Sequence, residues 1–207
     1  YISSNFVMGL DGRASFRELD DRADGNIVSR SREDRWLMDF LRAHHDAQLI
    51  GASTLRDELN PAGRGWDYGI NDEELRMYRQ DALRLGRQKV LVLSGSGNID
   101  LTFRIFSSPR VEAWIITARE GEKNLLSQLK KLGREGTIKI LSVGEGTEVN
   151  LDAITQLLRQ EYSIRTLLCE GGPKLYGELL KNHLIDEDFR TMSLQVLGES
   201  TKPGIDR

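Results

Sequence analysis

Short apolar runs alternate with amphipathic segments along most of this 207-residue chain, and this alternation constrains its fold more than any other feature. The run Lys89–Leu93 is continuously apolar after its first residue, which is typical of a strand buried on both faces. Leu151, Ile154 and Leu158 show the other pattern, because their spacing places them on one face of a helix. The sequence therefore predicts an α/β fold, with a central, largely parallel sheet and helices on both faces.

The same two patterns predict the individual elements. Strands are expected over residues 1–8, 46–51, 89–93, 111–117, 137–143, 165–169 and 189–196. Helices are expected after Ser31 and over residues 72–83, 122–132, 151–161 and 173–182. Ser31 followed by Asp34 is similar to a capping box and marks the first helix start. No internal repeat or linker is evident, so residues 1–207 are interpreted as a single domain.

Charge and composition exclude several classes of function. The 29 basic and 32 acidic residues leave a net charge of −3, which offers no footprint for nucleic acid or an anionic membrane. No apolar stretch approaches the roughly 18 residues of a membrane span, and no signal segment is visible. The single cysteine, Cys169, excludes an intrachain disulfide and is predicted to be buried in a strand. We therefore expect a cytoplasmic protein without a metal site.

The strongest candidate binding site is the turn Glu170–Pro173, which follows a predicted buried strand. Its two glycines let backbone N–H groups approach an anion without interference from a Cβ atom. Pro173 suits the first turn of a helix, and the N-terminus of that helix favours a phosphate. An ordinary strand–helix turn has the same glycines and proline. The carboxylate of Glu170, however, favours contact with the hydrogen-bond donors of a ligand.

A second candidate is the segment 51–58, after the predicted strand that ends at Gly51. Small and hydroxylated residues let a ligand come close, and Thr54 can donate a hydrogen bond. The alternative is that Ser53 or Thr54 caps a helix N-terminus, and both interpretations can hold.

The third candidate is the loop Ser94–Asp100. Its glycines begin a dinucleotide fingerprint, but Asp100 stands where the third glycine belongs and no apolar helix follows, so a classical Rossmann site is rejected. A loop that touches a cofactor phosphate remains the interpretation. There is neither a nucleophile elbow nor a Walker motif. Hydride transfer from a nicotinamide needs mainly orientation, and glycines, threonine, asparagine and carboxylates suit that chemistry.

Three blocks of sequence together resemble a known family. They are Asn5–Arg13, Leu41–Arg56, and Glu170–Leu175 with Leu184–Glu187. Over about residues 1–200 the chain resembles the pyrimidine reductase domain of bacterial riboflavin biosynthesis, the C-terminal domain of a bifunctional deaminase–reductase. That domain belongs to the dihydrofolate-reductase-like superfamily. The zinc deaminase fused upstream in some members has no counterpart here, because the sequence lacks its H-x-E and P-C-x-x-C patterns.

The resemblance implies an NADPH-dependent oxidoreductase similar to 5-amino-6-(5-phosphoribosylamino)uracil reductase, acting as a homodimer on a small molecule. Such enzymes reduce the ribosyl group of an aminopyrimidine phosphate to a ribityl chain. The implied substrate-binding residues are Asn5, Asp11, Arg42 and Glu170, of which Asp11 and Glu170 are the implied catalytic residues. The implied cofactor-binding residues are Gly51, Thr54, Glu58, Ser94, Gly95, Ser96, Gly171, Gly172, Pro173, Lys174 and Leu175.

Three departures from the family pattern leave the substrate open. Gly9 stands where the family has serine or threonine, and the Gly63–Gly69 loop is longer and more aromatic. The chain ends at Arg207, so the family's final strands are expected to be missing. A same-fold reductase of a pterin-like or other carbonyl substrate is the first alternative. A non-catalytic nucleotide-binding module is the second, although three polar groups at predicted strand ends argue against it. Lys174, Arg56 and Arg119 are the candidate partners for the 2′-phosphate of NADPH.

Overall fold

The computed structural model describes residues 1–12, 31–57 and 65–196. The strands in this part of the chain are β1 (Ile2–Met8), β2 (Ala47–Gly51), β3 (Gln88–Leu93), β4 (Val111–Thr117), β5 (Lys139–Ser142), β6 (Leu167–Cys169) and β7 (Glu187–Met192). The helices are α1 (Arg32–His44), α2 (Ala52–Asp57), α3 (Glu73–Asp81), α4 (Arg119–Lys131), α5 (Leu151–Tyr162) and α6 (Pro173–Lys181), with a short 3-10 helix at Arg104–Phe106.

The strands form one sheet in the order β5-β4-β3-β2-β6-β1-β7. Every neighbouring pair is parallel, which confirms the predicted α/β class and parallel sheet. Because all the strands run in one direction, their carboxyl ends meet at one edge of the sheet. The three candidate binding segments follow β2, β3 and β6 at that edge, where open α/β sheets bind their ligands.

Apolar side chains cover both faces of the sheet. One layer contains Ile50, Val90, Val92 and Ile115 of the strands with Leu125 and Leu129 of α4. The opposite layer contains Leu49, Leu91, Ile116 and Cys169 with Ile154 and Leu158 of α5 and Leu175 and Leu179 of α6. The first face also carries α1, because Arg42 of that helix reaches Glu170 and His45, just after it, reaches Ser3. This same face holds the polar groups of the candidate site.

Two element boundaries show where local signals succeed and fail. The Ser31 hydroxyl accepts the Asp34 N–H at 3.1 Å, as the predicted cap requires. Helix α4 instead begins at Arg119, three residues before the predicted start, and its cap residue Ala118 has no capping side chain. The Ala118 N–H donates to the Gly95 carbonyl, so a contact with a distant loop marks this helix start.

The last strand, β7, also differs from its prediction, since it covers 187–192 and not 189–196. Its residues pair one for one with β1, from Ser3 with Glu187 to Met8 with Met192. The strand therefore ends where its partner ends.

Candidate active site

Arg42 and Glu170 form a buried ion pair at the carboxyl edge of the sheet. Arg42 lies in the last turn of α1, and Glu170 is the first residue after β6. Arg42 Nε donates to Glu170 Oε2 at 2.9 Å, and Nη2 lies 2.9 Å from the same oxygen. Both side chains are only 7% exposed. The structure thus brings together two residues that the resemblance places around the substrate, and their role in binding stays a prediction.

The two oxygens of the Glu170 carboxylate have different surroundings. Oε2 accepts from Arg42 and also from Gln48 Nε2. Oε1 is buried and has no hydrogen-bond partner among the described residues. A buried acceptor without a partner costs free energy, so it calls for a functional explanation. A donor on a bound ligand would supply the missing bond.

Burial and charge act in opposite directions on Arg42. Desolvation by itself disfavours the guanidinium cation, but the Glu170 carboxylate and then Asp39 favour it, and the pKa of Arg42 is raised above its ordinary value. Asp39 Oδ1 lies 3.8 Å from Arg42 Nη1. Its other oxygen accepts the backbone N–H groups of Asn71 and Asp72, each at 2.9 Å. Asp39 therefore connects the ion pair to the segment before α3.

A second connection runs through two buried amides that the sequence analysis did not identify, Gln48 and Gln88. Gln88 Nε2 donates to Gln48 Oε1 at 2.8 Å and to the Tyr68 carbonyl at 3.2 Å, while Gln88 Oε1 accepts the Ile70 N–H at 3.1 Å. The available signal was the polarity of Gln48, which interrupts an otherwise apolar predicted strand. Its partners lie 40 and 122 residues away, and no local pattern could show them.

Asn5 and Asp11 lie along and after β1. Ser4 pairs with Cys169, so Asn5 and Glu170 are each one residue past the last paired position of two adjacent strands. Asn5 is half-buried there. Asp11 lies in the turn closed by the Gly12 N–H and the Gly9 carbonyl, at 3.0 Å. Both residues occupy the same edge as Glu170, and their contact with substrate stays a prediction.

Thr54 joins the second candidate segment to the turn after β6. Its buried hydroxyl accepts the Gly172 N–H at 3.0 Å. Gly51 ends β2, and α2 begins directly at Ala52. The alternative in which Ser53 or Thr54 caps a helix is therefore wrong, because both residues lie inside the first turn of α2. The Thr54 hydroxyl binds another part of the backbone instead.

The two glycines after Glu170 have different reasons to be glycine. A Cβ atom on Gly171 would lie 2.4 Å from Gly51 N and 2.6 Å from Ile50 Cα, so close packing against β2 requires this glycine. The Gly172 N–H already donates to Thr54. Close packing thus accounts for Gly171, and the Gly172 N–H is bonded within the protein, while contact of either glycine with a cofactor phosphate stays a prediction.

The remaining donors of this turn belong to α6. Gly172 precedes the helix without a side-chain cap, and Pro173 at the first position has no N–H. The N–H groups of Lys174 and Leu175 precede the first intrahelical bond, from the Tyr176 N–H to the Gly172 carbonyl. The Leu175 side chain is buried in the apolar layer, so only its backbone can meet a cofactor. The Lys174 side chain is exposed.

The glycines of the loop after β3 also serve close packing. A Cβ atom on Gly95 would lie 1.9 Å from the Thr147 carbonyl oxygen, and one on Gly97 would lie 2.3 Å from the Gly121 carbonyl oxygen. Ser94 is buried, whereas Ser96 is exposed at the loop surface. Of the three predicted cofactor residues here, Ser96 is the most exposed and Gly95 is half-buried, and their contact with a phosphate stays a prediction. Glu58, also predicted to contact the cofactor, lies outside the described residues.

The candidate cations for a 2′-phosphate are exposed but differ in their contacts. Arg56 Nη1 donates to the Asn98 carbonyl at 3.2 Å and so bridges α2 and the loop after β3. Arg119 Nη1 lies 3.5 Å from Glu145 Oε2, between two exposed side chains. Lys174 lies in the first turn of α6. Arg56 is thus the cation placed between two of the predicted cofactor segments.

Cys169 is fully buried in β6, as predicted, and burial raises the pKa of its thiol to about 12. Such a thiol is protonated at neutral pH and is no nucleophile. The described residues contain no group of three or more His, Cys, Asp or Glu side chains placed to hold a metal ion. Within the same ranges, no helix has the length and apolar character needed to cross a membrane.

Comparison with known proteins decides the family. Residues 1–206 match the family described as the RibD C-terminal domain. The chain belongs to this family. A reductase of Archaeoglobus fulgidus, named 2,5-diamino-6-ribosylamino-4(3H)-pyrimidinone 5′-phosphate reductase, is 26% identical over 188 residues, which are 90% of this chain and 77% of that protein.

Solved structures of RibD-type proteins have the same fold. RibD of Acinetobacter baumannii superposes with a TM-score of 0.65 at 20% identity, over 100% of this chain and 49% of that one. The riboflavin biosynthesis reductase Rib7 of Saccharomyces cerevisiae gives a TM-score of 0.65 at 14% identity, over 99% of this chain and 78% of that one. The chain thus spans about half the length of the bacterial RibD structure and most of the length of the yeast reductase. The predicted family and dihydrofolate-reductase-like fold are confirmed.

Proposed function

We propose that this chain is a reductase of the riboflavin pathway, which uses NADPH to reduce the ribosyl group of an aminopyrimidine ribosyl phosphate to a ribityl chain. Membership of the RibD C-terminal domain family and similarity to the Archaeoglobus reductase support the reaction class. The observation that carries the proposal within this structure is the unpartnered Oε1 of Glu170, buried beside Arg42. An aminopyrimidine has amino and ring N–H groups, and such an oxygen accepts hydrogen bonds from them.

The carboxyl edge of the sheet fits a nicotinamide dinucleotide. The first turn of α6 has N–H groups without a side-chain cap, which is the arrangement that binds phosphate at helix N-termini. Thr54 holds the backbone of Gly172 in place beside them. Ser96 and the loop after β3 offer further contacts on the side where Arg56 lies. When bound, the cofactor supplies the hydride.

The protein's own part in the reaction is binding and orientation. Arg42 holds Glu170 in a buried ion pair, and the Glu170 carboxylate then binds N–H donors of the substrate ring. Asn5 and Asp11 extend this polar surface along the carboxyl end of β1. A hydroxyl group elsewhere or a water molecule completes the proton transfer. Gly9 cannot supply that hydroxyl, although the resemblance places a serine or threonine at this position. Substituting Gly9 by serine therefore tests whether the missing hydroxyl limits the rate.

Oxidation of NADPH tests the reaction. Purified protein is mixed with NADPH and either 5-amino-6-(5-phosphoribosylamino)uracil or its 2,5-diamino-pyrimidinone counterpart, and NADPH absorbance is followed. We expect turnover with one of the two and loss of turnover in Glu170→Ala. Turnover only with a pterin or another carbonyl compound would favour the alternative reductase. Tight NADPH binding without oxidation of any of these compounds would favour the non-catalytic module.

The cofactor preference, assembly and location of the protein belong to the same proposal. We expect NADPH to raise the melting temperature more than NADH does, with a smaller difference between the two cofactors in Arg56→Ala. We propose a single reductase domain over residues 1–207 that forms a cytoplasmic homodimer. Light scattering coupled to gel filtration measures the assembly directly, and a monomer at micromolar concentration would contradict it.

A further inference from the structure

The two oxygens of the Glu170 carboxylate differ in the number of hydrogen-bond donors that they contact. An arginine and a carboxylate favour a fork geometry, in which two N–H groups each bind a different oxygen. Here Arg42 Nε and Nη2 both lie 2.9 Å from Oε2, and Gln48 Nε2 donates to that oxygen as well. Three donors therefore meet on Oε2, while Oε1 has no partner among the described residues. The ion pair alone does not account for this asymmetry, and Gln48 is the extra donor.

A backbone group fixes the direction in which Gln48 points its amide. The Ile70 N–H can only donate, so the end of Gln88 that it meets at 3.1 Å is the carbonyl oxygen. The Gln88 NH₂ group consequently faces Gln48 at 2.8 Å and requires an oxygen there. Gln48 must then present its own NH₂ group to Glu170. The orientation of both amides follows from one N–H group in the segment before α3.

The chain of amides is buried along its whole length. Gln48 is 1% exposed and Gln88 is 4% exposed. Both lie on central strands, where a polar side chain is costly unless each of its groups is bonded. Flipping the Gln48 amide would set its carbonyl oxygen against the Glu170 carboxylate and its NH₂ group against the NH₂ group of Gln88. The observed direction is therefore held strongly.

We propose that Gln48 is a positioning residue that holds Oε2 of Glu170 against Arg42 and thereby reserves Oε1 for a donor of the substrate. Gln88 acts one step further away, through Gln48. The proposal rests on the proposed function for the identity of the substrate, whose amino or ring N–H groups are the donors concerned. It assigns to the Tyr68–Ile70 segment a role in recognition, through its hydrogen bonds with Gln88.

Substitution of Gln48 by methionine tests this role, because methionine has a similar length and no N–H donor. Without the third donor, the carboxylate can rotate into the fork geometry, in which Oε1 accepts a hydrogen bond from Arg42. We expect the KM for the aminopyrimidine ribosyl phosphate to rise about tenfold, the equivalent of about 1.4 kcal/mol. The kcat should stay within about twofold, and the Kd of NADPH should be unchanged. Gln88→Met should raise the KM less, by about threefold, because Gln48 keeps its contact with Glu170.

Ser3→Ala is the matched control. It removes a buried hydrogen bond on the same face of the sheet, between Ser3 Oγ and His45 Nε2 at 2.8 Å, without touching Glu170. It should lower the melting temperature much as Gln48→Met does, yet leave the KM unchanged. A similar loss of stability with a similar KM in the two variants would overturn the proposal, since Gln48 would then be merely structural.

A high-resolution structure of the substrate-free Gln48→Met protein gives a second measurement. We expect Arg42 to contact both oxygens of Glu170 in that variant. If Oε1 still has no donor, Gln48 is not the cause of the asymmetry and the proposal is wrong. This measurement does not depend on the reaction. Failure of the wild-type protein to oxidise NADPH would contradict the proposed function, while the structure of the variant would still decide the role of Gln48.

Discussion

The protein has an arginine–carboxylate pair after strand β6 and another on strand β7, and the two pairs differ in burial and in hydrogen bonding. Arg42 and Glu170 are both 7% exposed, and one oxygen of Glu170 has no partner among the described residues. Arg190 and Asp188 lie on the edge strand β7, with side chains 49% and 23% exposed. There Asp188 Oδ1 accepts from Ser4 at 2.5 Å, and Oδ2 accepts from Tyr176 at 3.0 Å and from Arg190.

The difference shows that an ion pair alone does not make a binding site. At the edge, both Asp188 oxygens are bonded and the pair is partly exposed to solvent, so no buried oxygen is left for a ligand to satisfy. In the interior, the Glu170 carboxylate is buried and one of its oxygens has no hydrogen bond among the described residues. A donor on a ligand can supply that missing hydrogen bond. The two pairs should also lose very different amounts of stability on substitution, because partner loss is costly only where the remaining charge is buried.

Arg42→Met should have the largest effect. It leaves the Glu170 carboxylate buried without its cation, which typically costs about 3–5 kcal/mol. Urea denaturation followed by circular dichroism measures the free energy of unfolding. A loss below about 1 kcal/mol would mean that water reaches Glu170 and that the contrast between the two pairs is false.

The double variant Arg42→Met with Glu170→Met should recover part of this loss. Removing the stranded carboxylate removes the main penalty of the single substitution, and coupling energies of about 0.5–3 kcal/mol are usual for residues in contact. The double variant should therefore be more stable than Arg42→Met by at least about 1 kcal/mol in the same denaturation experiment. Additive losses would show that the two side chains are not coupled.

A smaller effect concerns pH and His45, which lies beside the buried pair. Burial lowers the pKa of His45 below its ordinary value near 6.5, despite a hydrogen bond from its ring to the Leu41 carbonyl at 2.7 Å. As pH falls below about 6.5, the unfolded chain binds a proton that the folded protein resists, so the free energy of unfolding should decrease. The His45→Gln variant cannot titrate at this position, so its free energy of unfolding should decrease less between pH 7 and pH 5. Urea denaturation of both proteins at several pH values in this range measures the difference. An unchanged slope would place the pH dependence elsewhere.

Arg190→Gln should have the smallest effect. The Arg190 side chain is 49% exposed, and exposed ion pairs contribute about 0–1 kcal/mol. The loss should shrink further in high salt, which screens exposed charges but hardly affects buried ones. Denaturation at low and high salt, with Arg42→Met in parallel, measures this difference. A loss of unfolding free energy as large as that of Arg42→Met would show that burial does not distinguish the two ion pairs.

Local sequence patterns were sufficient for most of the fold. The apolar run at Lys89–Leu93 and the helical spacing at Leu151–Leu158 predicted a parallel sheet with helices, and the Ser31 cap is confirmed. The start of α4 was missed because the Ala118 N–H is bonded by the Gly95 carbonyl and no side chain marks the helix start. Local patterns record what a residue does to its neighbours in sequence, and this contact is not local.

The candidate site divides in the same way. Glu170 was identified because a carboxylate at a strand end is unusual, and Arg42 came with the family resemblance. Gln48 was read as part of an apolar strand, since nothing nearby in sequence explains a buried amide. The glycines at 95 and 171 were attributed to ligand binding, whereas their close neighbours are protein backbone. A glycine pattern alone does not distinguish an approach by a ligand from an approach by another part of the chain.

The position of β1 between β6 and β7 has a consequence for how the protein folds. Ile2 pairs with Leu167, and Ser3 pairs with Glu187. During synthesis β1 therefore has no neighbouring strand until β6 and β7 have been made. Strands β2, β3, β4 and β5 can associate in order meanwhile. Contacts between distant segments slow folding and leave strand edges open for longer. Both edges of β1 therefore stay unpaired during that time, and the buried ion pair can form once β6 has joined β2.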